Sequence, residues 1–220
     1  MKAKIAEFFK SIQGEGKYAG CAQVFVRFFG CNLSCSYCDT ELTFYQEYDP
    51  QVLADKVLDF NLSFVALTGG EPLVQVEALT SLASILKEKG CTLLLETNGT
   101  LWKPLEKVID LMDVISCDLK LKSSTKEKAQ WSAHQNFFDR ACKKDLYFKT
   151  VICTGTEDKD IEKTADFLKD KKNYTLYLQP EAGKISKTFL FRIFSMQEYL
   201  LKKGIDARVM PQLHKLLGIK

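Results

Sequence analysis

Short apolar runs alternate with segments of helical spacing along nearly the whole chain. Residues 22–30, AQVFVRFFG, are rich in β-branched and aromatic side chains, which is typical of a buried strand. Residues 76–90 repeat apolar positions at helical spacing and end in lysines and a glycine, as an amphipathic helix does. The same two patterns predict strands at 63–72, 91–100, 113–120, 146–155, 174–180 and 206–210, and helices at 50–60, 103–112, 134–143, 157–171 and 186–203.

Repeated strand–helix units predict a parallel sheet covered by helices. The pattern gives six such units and a seventh strand. A closed eightfold barrel usually takes about 250 residues, and this chain has 220. We therefore expect an α/β fold in a single domain, residues 1–220, built as an incomplete, laterally open (β/α) barrel with the helices outside. A doubly wound open sheet is the alternative, but no Gly-x-Gly-x-x-Gly follows a predicted strand.

Composition and charge exclude several classes of protein. The chain is 46% hydrophobic and 27% charged, enough for an ordinary core, and its net charge of +3 is too small to indicate a nucleic-acid surface. No run of 18 apolar residues predicts a membrane span, and the first 16 residues lack the apolar centre of a signal peptide. We expect a cytoplasmic protein without nucleic-acid or membrane partners. Disulfides are rare there, so we expect the scattered cysteines to be small core residues: Cys21, Cys91, Cys117, Cys142 and Cys153.

Three further cysteines stand close together behind the first predicted strand. Cys31, Cys35 and Cys38 are separated by three and two residues. With His134 or His214 they would make a Cys3His zinc module that binds a partner, since structural zinc takes four ligands. They could also be core cysteines by coincidence. A third interpretation is a 4Fe–4S cluster held by three thiolates, which leaves one iron open to a substrate or cofactor.

Polar residues follow the other predicted strands at the edge where parallel α/β folds place their chemistry. They form the segments TGGEP (68–72), ETNGT (96–100), SCDLK (116–120) and QPEA (179–182). Arg27 lies within an otherwise apolar strand, where a charge facing the barrel interior is costly unless it is paired. The sequence therefore predicts a polar site at this edge.

Two of these motifs resemble the signature of the radical S-adenosylmethionine (SAM) superfamily. They are Cys-x3-Cys-x2-Cys with Tyr37 before the last cysteine, and the GGEP of residues 69–72. With SIQGEG (11–16) and QLHKLLGI (212–219), the chain resembles the 7-carboxy-7-deazaguanine synthases of that superfamily nearly end to end. Glycyl-radical activases share the cysteine motif and similar length and are the alternative.

The resemblance implies a lyase with a 4Fe–4S cluster, SAM and Mg²⁺. Reductive cleavage of SAM on the open iron gives a 5′-deoxyadenosyl radical, which abstracts a substrate hydrogen. The reaction is a radical ring contraction of 6-carboxy-5,6,7,8-tetrahydropterin to 7-carboxy-7-deazaguanine, with loss of ammonia, in the pathway to queuosine and other 7-deazapurines. A homodimer and a flavodoxin-type electron donor are implied as partners.

The resemblance also implies roles for individual residues. Cys31, Cys35 and Cys38 would hold the cluster, and the Thr40 hydroxyl would bind Mg²⁺. Gly70 and Glu71 would meet the SAM amino group, and the other implied SAM contacts are Tyr37, Ser116, Asp118, Lys120, Gln179 and Pro180. Arg27 would bind the substrate carboxylate, since arginine is suited to bidentate carboxylate binding. The other implied substrate contacts are Ile12, Gln13, Gly14, Glu15, Thr68 and His214, the last on a C-terminal tail that closes over the site.

Overall fold

The computed structural model describes residues 1–40, 43–171 and 173–220, which form one nine-stranded sheet. The strands are β1 Ala3–Ile12, β2 Ala22–Phe28, β3 Gln46–Tyr48, β4 Phe64–Gly69, β5 Thr92–Thr97, β6 Val114–Asp118, β7 Asp145–Ile152, β8 Leu176–Pro180 and β9 Ala207–Val209. Their order is β3-β1-β2-β4-β5-β6-β7-β8-β9. From β2 to β9 each neighbouring pair is parallel, whereas β1 runs antiparallel to both β2 and β3.

Helices connect the parallel strands and cover the outer side of the sheet. They are α1 Pro50–Leu58, α2 Val76–Glu88, α3 Trp102–Leu105, α4 Lys122–Thr125, α5 Trp131–Ala141, α6 Asp158–Leu168 and α7 Lys187–Lys202. A last short helix, α8 Leu213–Leu217, follows β9. Short 3₁₀ turns lie at Gly16–Tyr18, Pro72–Gln75 and Ile109–Leu111. Within the described ranges, no helix combines the length and the apolar character that crossing a bilayer requires.

The predicted fold class is confirmed, with two differences in detail. The seven parallel strands and their six helical connections are present, and the sheet is open between its end strands β3 and β9. The antiparallel strands β1 and β3 were not predicted. The helix predicted at 103–112 is divided into α3 and a 3₁₀ turn at Ile109–Leu111.

Alternation along each parallel strand separates the core from the interior of the open barrel. Val24, Val26 and Phe28 of β2 face the helices in the main core, whereas Phe25 faces inward. The inner face carries its own apolar layer, made of Phe25, Ala66, Leu94, Val114, Tyr147 and Tyr177. Because side chains on a strand repeat every two residues, the next inward positions on all six of these strands are polar or charged: Arg27, Thr68, Glu96, Ser116, Lys149 and Gln179.

The scattered cysteines are only partly core residues. Cys91, Cys117 and Cys153 are buried, as expected. The expectation was wrong for Cys21, which is exposed just before β2, and for Cys142, which is half-buried at the C-terminal end of α5. Both lie at element ends, where a small thiol need not be enclosed.

Candidate active site

A cavity of about 600 Å³ lies at the carboxyl ends of the parallel strands, on the inner side of the sheet. Its floor includes the inward charged residues Arg27, Glu96 and Lys149. Most residues expected at the site line it: Ile12, Gln13, Gly14, Glu15, Arg27, Cys31, Cys35, Tyr37, Cys38, Thr40, Thr68, Gly70, Asp118, Lys120, Gln179, Pro180 and His214. The fold therefore brings together segments that are far apart in the sequence.

The cysteine loop is held on one side by the segment that contains α4. The backbone N–H of Ser36 donates to the Thr125 carbonyl at 2.9 Å, and its hydroxyl donates to the Ser124 carbonyl at 2.8 Å. The backbone N–H of Ser34 donates to the Glu127 carboxylate at 2.8 Å. These bonds fix the loop backbone without using the sulfur atoms, so the thiols are left to face the cavity.

The loop after β5 holds the opposite side of the cysteine loop. The Asn98 side-chain amide donates to the Asn32 side-chain oxygen Oδ1 at 2.9 Å, and the Asn32 side-chain amide donates to the Thr100 hydroxyl at 2.9 Å. The backbone N–H of Glu71 donates to the Gly30 carbonyl at 2.9 Å. The three thiols thus belong to a loop whose shape is set by the neighbouring loops.

The donor set fits an iron–sulfur cluster better than a zinc ion. Cys31, Cys35 and Cys38 are free thiols that line one cavity. In the described part of the chain, no group of three or more His, Cys, Asp or Glu side chains is arranged to hold a single metal ion. His134 is buried on α5, and its Nε2 accepts a hydrogen bond from the Lys120 backbone at 3.3 Å. A 4Fe–4S cluster has several iron atoms, so its thiolates need not converge on one point.

The Glu71 carboxylate, which is expected to meet the SAM amino group, accepts hydrogen bonds from three protein groups in the structure. Glu71 is fully buried, and its carboxylate accepts hydrogen bonds from the Thr97 hydroxyl at 2.9 Å, the Asn98 N–H at 2.7 Å and the Leu73 N–H at 3.1 Å. Burial raises the pKa of Glu71 to about 7, although the bonds from Asn98 and Leu73 act in the opposite direction. Its carboxylate therefore ties the loops after β4 and β5 together, while Gly70 beside it lines the cavity.

Ser116, an expected SAM contact, is not among the residues that line the cavity. It lies on β6, 1% exposed, two residues before Asp118. Its register partners are Glu96 on β5 and Tyr147 on β7, and Tyr147 belongs to the inner apolar layer. Ser116 is therefore buried in the sheet beside Tyr147, whereas Asp118, two residues further along β6, lines the cavity.

A network of buried charges crosses the cavity floor from the cysteine loop to the turn after β1. Lys120 donates to Asp118 Oδ2 at 2.9 Å and to the Tyr37 hydroxyl at 3.2 Å. Lys149 Nζ lies 3.8 Å from the same Asp118 oxygen and forms an ion pair with Glu15. Burial opposes ionisation of Glu15, but the charge of Lys149 and the hydrogen bonds from Lys149 and Gln212 together outweigh it and lower the Glu15 pKa to about 2.

Glu15 also connects the last segment of the chain to the cavity. Its Oε1 accepts hydrogen bonds from the amides of Gln179 at 3.2 Å and Gln212 at 2.7 Å. Leu213 N–H donates to the Gly14 carbonyl at 2.9 Å. The residues lining the cavity from this segment are Gln212, His214, Lys215, Ile219 and Lys220. The tail from 212 to 220 therefore lies across the cavity and is fastened to the turn after β1.

Arg27 faces the cavity from β2 beside a carboxylate of the neighbouring strand. Its Nε donates to Glu7 Oε1 at 2.9 Å, and Glu7 is the register partner of Arg27 on β1. Glu7 also forms an ion pair with Lys220. Two cationic side chains, Arg27 and Lys220, thus share one carboxylate at this end of the cavity.

The resemblance gave no role to Glu7, Glu96 or Lys149, which line the cavity, although Glu96 belongs to the ETNGT segment expected at this edge. Glu96 and Lys149 each lie inside an apolar strand, TLLLET and LYFKTVI, as Arg27 does. Glu96 Oε1 accepts a hydrogen bond from the Gln13 amide at 2.9 Å. An isolated charged residue in a buried strand is a signal that could have identified Glu96 and Lys149. Glu7 could be identified only from the pairing of β1 with β2.

Comparison with known proteins agrees with this geometry. The radical SAM superfamily matches residues 25–168. The 7-carboxy-7-deazaguanine synthase of Geobacter sulfurreducens is 30% identical over 98% of this chain and 97% of its own length. That of Methanocaldococcus jannaschii is 34% identical over 98% of this chain and 99% of its own length. The crystal structure of QueE from Escherichia coli has a TM-score of 0.70 at 21% identity, covering 97% of this chain and 95% of that one, which shows a shared fold.

These relatives match the chain over nearly its full length, and the superfamily match includes the three cysteines that line the cavity. The cavity, the cysteine loop and the sequence relationship therefore agree: the chain belongs to the radical SAM superfamily and, within it, to the 7-carboxy-7-deazaguanine synthases.

Proposed function

We propose that this chain converts 6-carboxy-5,6,7,8-tetrahydropterin to 7-carboxy-7-deazaguanine with loss of ammonia, the reaction of the family to which it belongs. The observation that carries the proposal is one cavity lined at one end by three thiols and at the other by Arg27 and the carboxylates of Glu15 and Glu96. A redox cofactor and a substrate with both a carboxylate and N–H donors would find matching partners there.

At the cofactor end, Cys31, Cys35 and Cys38 would hold the 4Fe–4S cluster. When bound, the cluster and SAM supply the radical that removes a hydrogen atom from the substrate. The SAM contacts would come from Gly70 and from the side chains of Tyr37, Asp118, Lys120 and Gln179, with Pro180 against the adenine. Asp118 Oδ1 is buried and has no hydrogen-bond partner among the described residues, so it could accept a bond from a ligand hydroxyl.

At the substrate end, Arg27 would bind the carboxylate of the pterin. Nε of its guanidinium already bonds to Glu7, which orients the group and leaves the other N–H donors for the substrate. Glu15, Glu96 and Gln13 offer acceptors to the N–H groups of the pterin's guanidine-like edge. The Glu15 carboxylate is ready for this role, because the ion pair with Lys149 keeps it ionised. Ile12, Gly14 and Thr68 would complete the contact.

The Thr40 hydroxyl is the proposed protein ligand of Mg²⁺. Thr40 follows the last cysteine and lines the cavity, so an ion there would also reach the bound substrate. Magnesium usually takes one or two protein oxygens and keeps several waters, which suits a site where a hydroxyl is the protein ligand.

The remaining features of the proposal concern the tail and the partners. His214 and its neighbours would cover the substrate and exclude water during the radical steps. We further propose a cytoplasmic homodimer that receives electrons from a flavodoxin-type donor and contributes to 7-deazapurine synthesis. A glycyl-radical activase would need an open groove for a protein loop, whereas the tail crosses this cavity.

The experiment is turnover of the anaerobically reconstituted protein with SAM, reductant, Mg²⁺ and the carboxy-tetrahydropterin. We expect 5′-deoxyadenosine to rise above the substrate-free level and 7-carboxy-7-deazaguanine to appear by mass spectrometry. Arg27→Ala should raise KM at least about tenfold, because a charge-assisted hydrogen bond is worth roughly 1.5–3 kcal/mol, while cluster absorbance near 400 nm persists. Lys10→Ala, on the exposed part of β1, is the control. Absence of both products, or an unchanged KM for Arg27→Ala, would contradict the substrate and its anchor respectively.

A further inference from the structure

Helix α7 carries an exposed apolar stripe on the side that faces away from the sheet. Its inward side chains are buried, namely Phe189, Ile193, Met196 and Leu200. On the outward side, Phe191 is 61% exposed, Phe194 53% and Leu201 49%. Grouped aromatic side chains exposed to this extent mark interaction surfaces.

Four residues of this stripe have a symmetric spacing, with two phenylalanines in the middle and opposite charges at the two ends. Lys187, Phe191, Phe194 and Glu198 follow one another at intervals of four, three and four positions, so they lie on one side of the helix. Reversing the helix reproduces the intervals and exchanges the lysine with the glutamate. In an antiparallel copy related by a two-fold axis, Lys187 therefore lies opposite Glu198 of the partner subunit, and Phe191 opposite Phe194 of the partner subunit.

The charges at the two ends of the stripe are available for such a contact. Among the ion pairs of the described residues, neither Lys187 nor Glu198 takes part. In a two-fold interface every contact occurs twice, so two ion pairs would flank a cluster of four phenylalanine rings. We infer that the α7 stripe is the surface on which a second copy of this chain docks, antiparallel and in this register.

The self-complementary order favours a second copy over an unrelated partner. An unrelated protein could supply any charge pattern, whereas a copy can supply only the reverse of the same stripe, and that reverse matches. The described residues that line the cavity lie outside α7, so docking on this helix leaves the active site accessible. The inference deepens the homodimer of the proposed function and does not depend on the reaction.

Charge reversal tests the register with the full, reconstituted chain in sedimentation equilibrium. Lys187→Glu and Glu198→Lys each place like charges opposite one another, and each should raise the dimer dissociation constant about tenfold. The double variant restores two opposite-charge pairs and should return to within about threefold of the wild-type value. Replacing both Phe191 and Phe194 with serine should weaken the dimer by at least about a hundredfold.

Val52→Ser is the matched control, because Val52 is 48% exposed on the outer helix α1. It should leave the dissociation constant unchanged, and circular dichroism should show that all variants are folded. If the single charge reversals leave the dissociation constant unchanged, or the double variant does not restore it, the proposed docking surface is wrong, although the homodimer itself still stands. A wild-type protein that stays monomeric at every concentration overturns both.

Discussion

Lys149→Met removes the ammonium group that lies between Glu15 and Asp118 on the cavity floor. The methionine keeps a chain of similar length, so the change isolates the charge. Both partners of the Lys149–Glu15 pair are largely buried, with side-chain exposures of 12% and 14%. Removing one member of a buried ion pair costs about 3–5 kcal/mol of folding free energy, because the other charge is left without its partner.

The structure places the expected loss near the lower end of that range. Asp118 keeps its bond from Lys120 at 2.9 Å, so the uncompensated charge is that of Glu15. Glu15 keeps hydrogen bonds from Gln179 and Gln212. We expect a loss of about 3 kcal/mol at pH 7, which corresponds to a fall in Tm of roughly 6–12 °C for a domain of this size.

Acid should reduce this difference. Lys149 holds the pKa of Glu15 at about 2, below the ordinary value of 4.5. A carboxyl whose pKa is lower in the folded state stabilises the fold above its unfolded pKa, and that contribution is lost as the pH falls through the folded pKa. The gap between wild type and Lys149→Met should therefore be complete above about pH 4.5 and shrink towards pH 2.

Urea denaturation of the cluster-free protein, followed by circular dichroism, measures these free energies. Lys17→Met is the control, since the Lys17–Asp145 pair is 47% and 37% exposed and should contribute about 0–1 kcal/mol. Adding Glu15→Gln to Lys149→Met should recover part of the loss, because no buried charge is then left alone. A loss below about 1 kcal/mol for Lys149→Met, or strict additivity in the double variant, would refute the reasoning.

Burial lowers the pKa of His134 from 6.5 to about 4. The free energy of unfolding should therefore decrease by about 1.4 kcal/mol per pH unit as the pH drops from 6.5 towards 4. In urea denaturation at pH 7 and pH 5, His134→Gln should remove this contribution to the pH dependence. A Cβ at Gly14 would lie 1.9 Å from His214 Nδ1, so Gly14→Ala should displace the tail and raise the substrate KM about tenfold. Gly155→Ala is the control and should leave KM unchanged, because the nearest atom to a Cβ there is 3.8 Å away. Ser36→Ala removes the hydroxyl bond that holds the cysteine loop and should speed loss of cluster absorbance to a chelator several-fold; an unchanged rate would show that the backbone bonds suffice.

The parallel part of the fold could be predicted because its strands are buried on both faces. Segments such as LYFKTVI are almost continuously apolar, and the helices between them repeat their apolar positions at helical spacing. β1 and β3 gave no such signal. β1 alternates charged residues such as Glu7 and Lys10 with apolar ones, and β3 consists of Gln46, Glu47 and Tyr48. Their pairing depends on tertiary contacts that local pattern does not contain.

The site could be predicted in outline. The resemblance identified the loops, and the carboxyl-end rule placed them together. What it left out was the direction of single side chains. Glu71 turns away because Thr97 and Asn98, which lie 26 and 27 positions away, supply hydrogen bonds to its carboxylate. Ser116 is buried within β6, and Asp118 on the same strand lines the cavity.

The alternation along the strands also limits how such a protein can change length during evolution. On β2, Val26 and Phe28 belong to the core while Arg27 between them faces the cavity. A single-residue insertion upstream within the strand would exchange these faces, placing the charge among the helices and an apolar side chain in the site. Insertions and deletions should therefore be tolerated only in the loops and outer helices. Family members of different length should then keep the same residues of each strand facing the cavity.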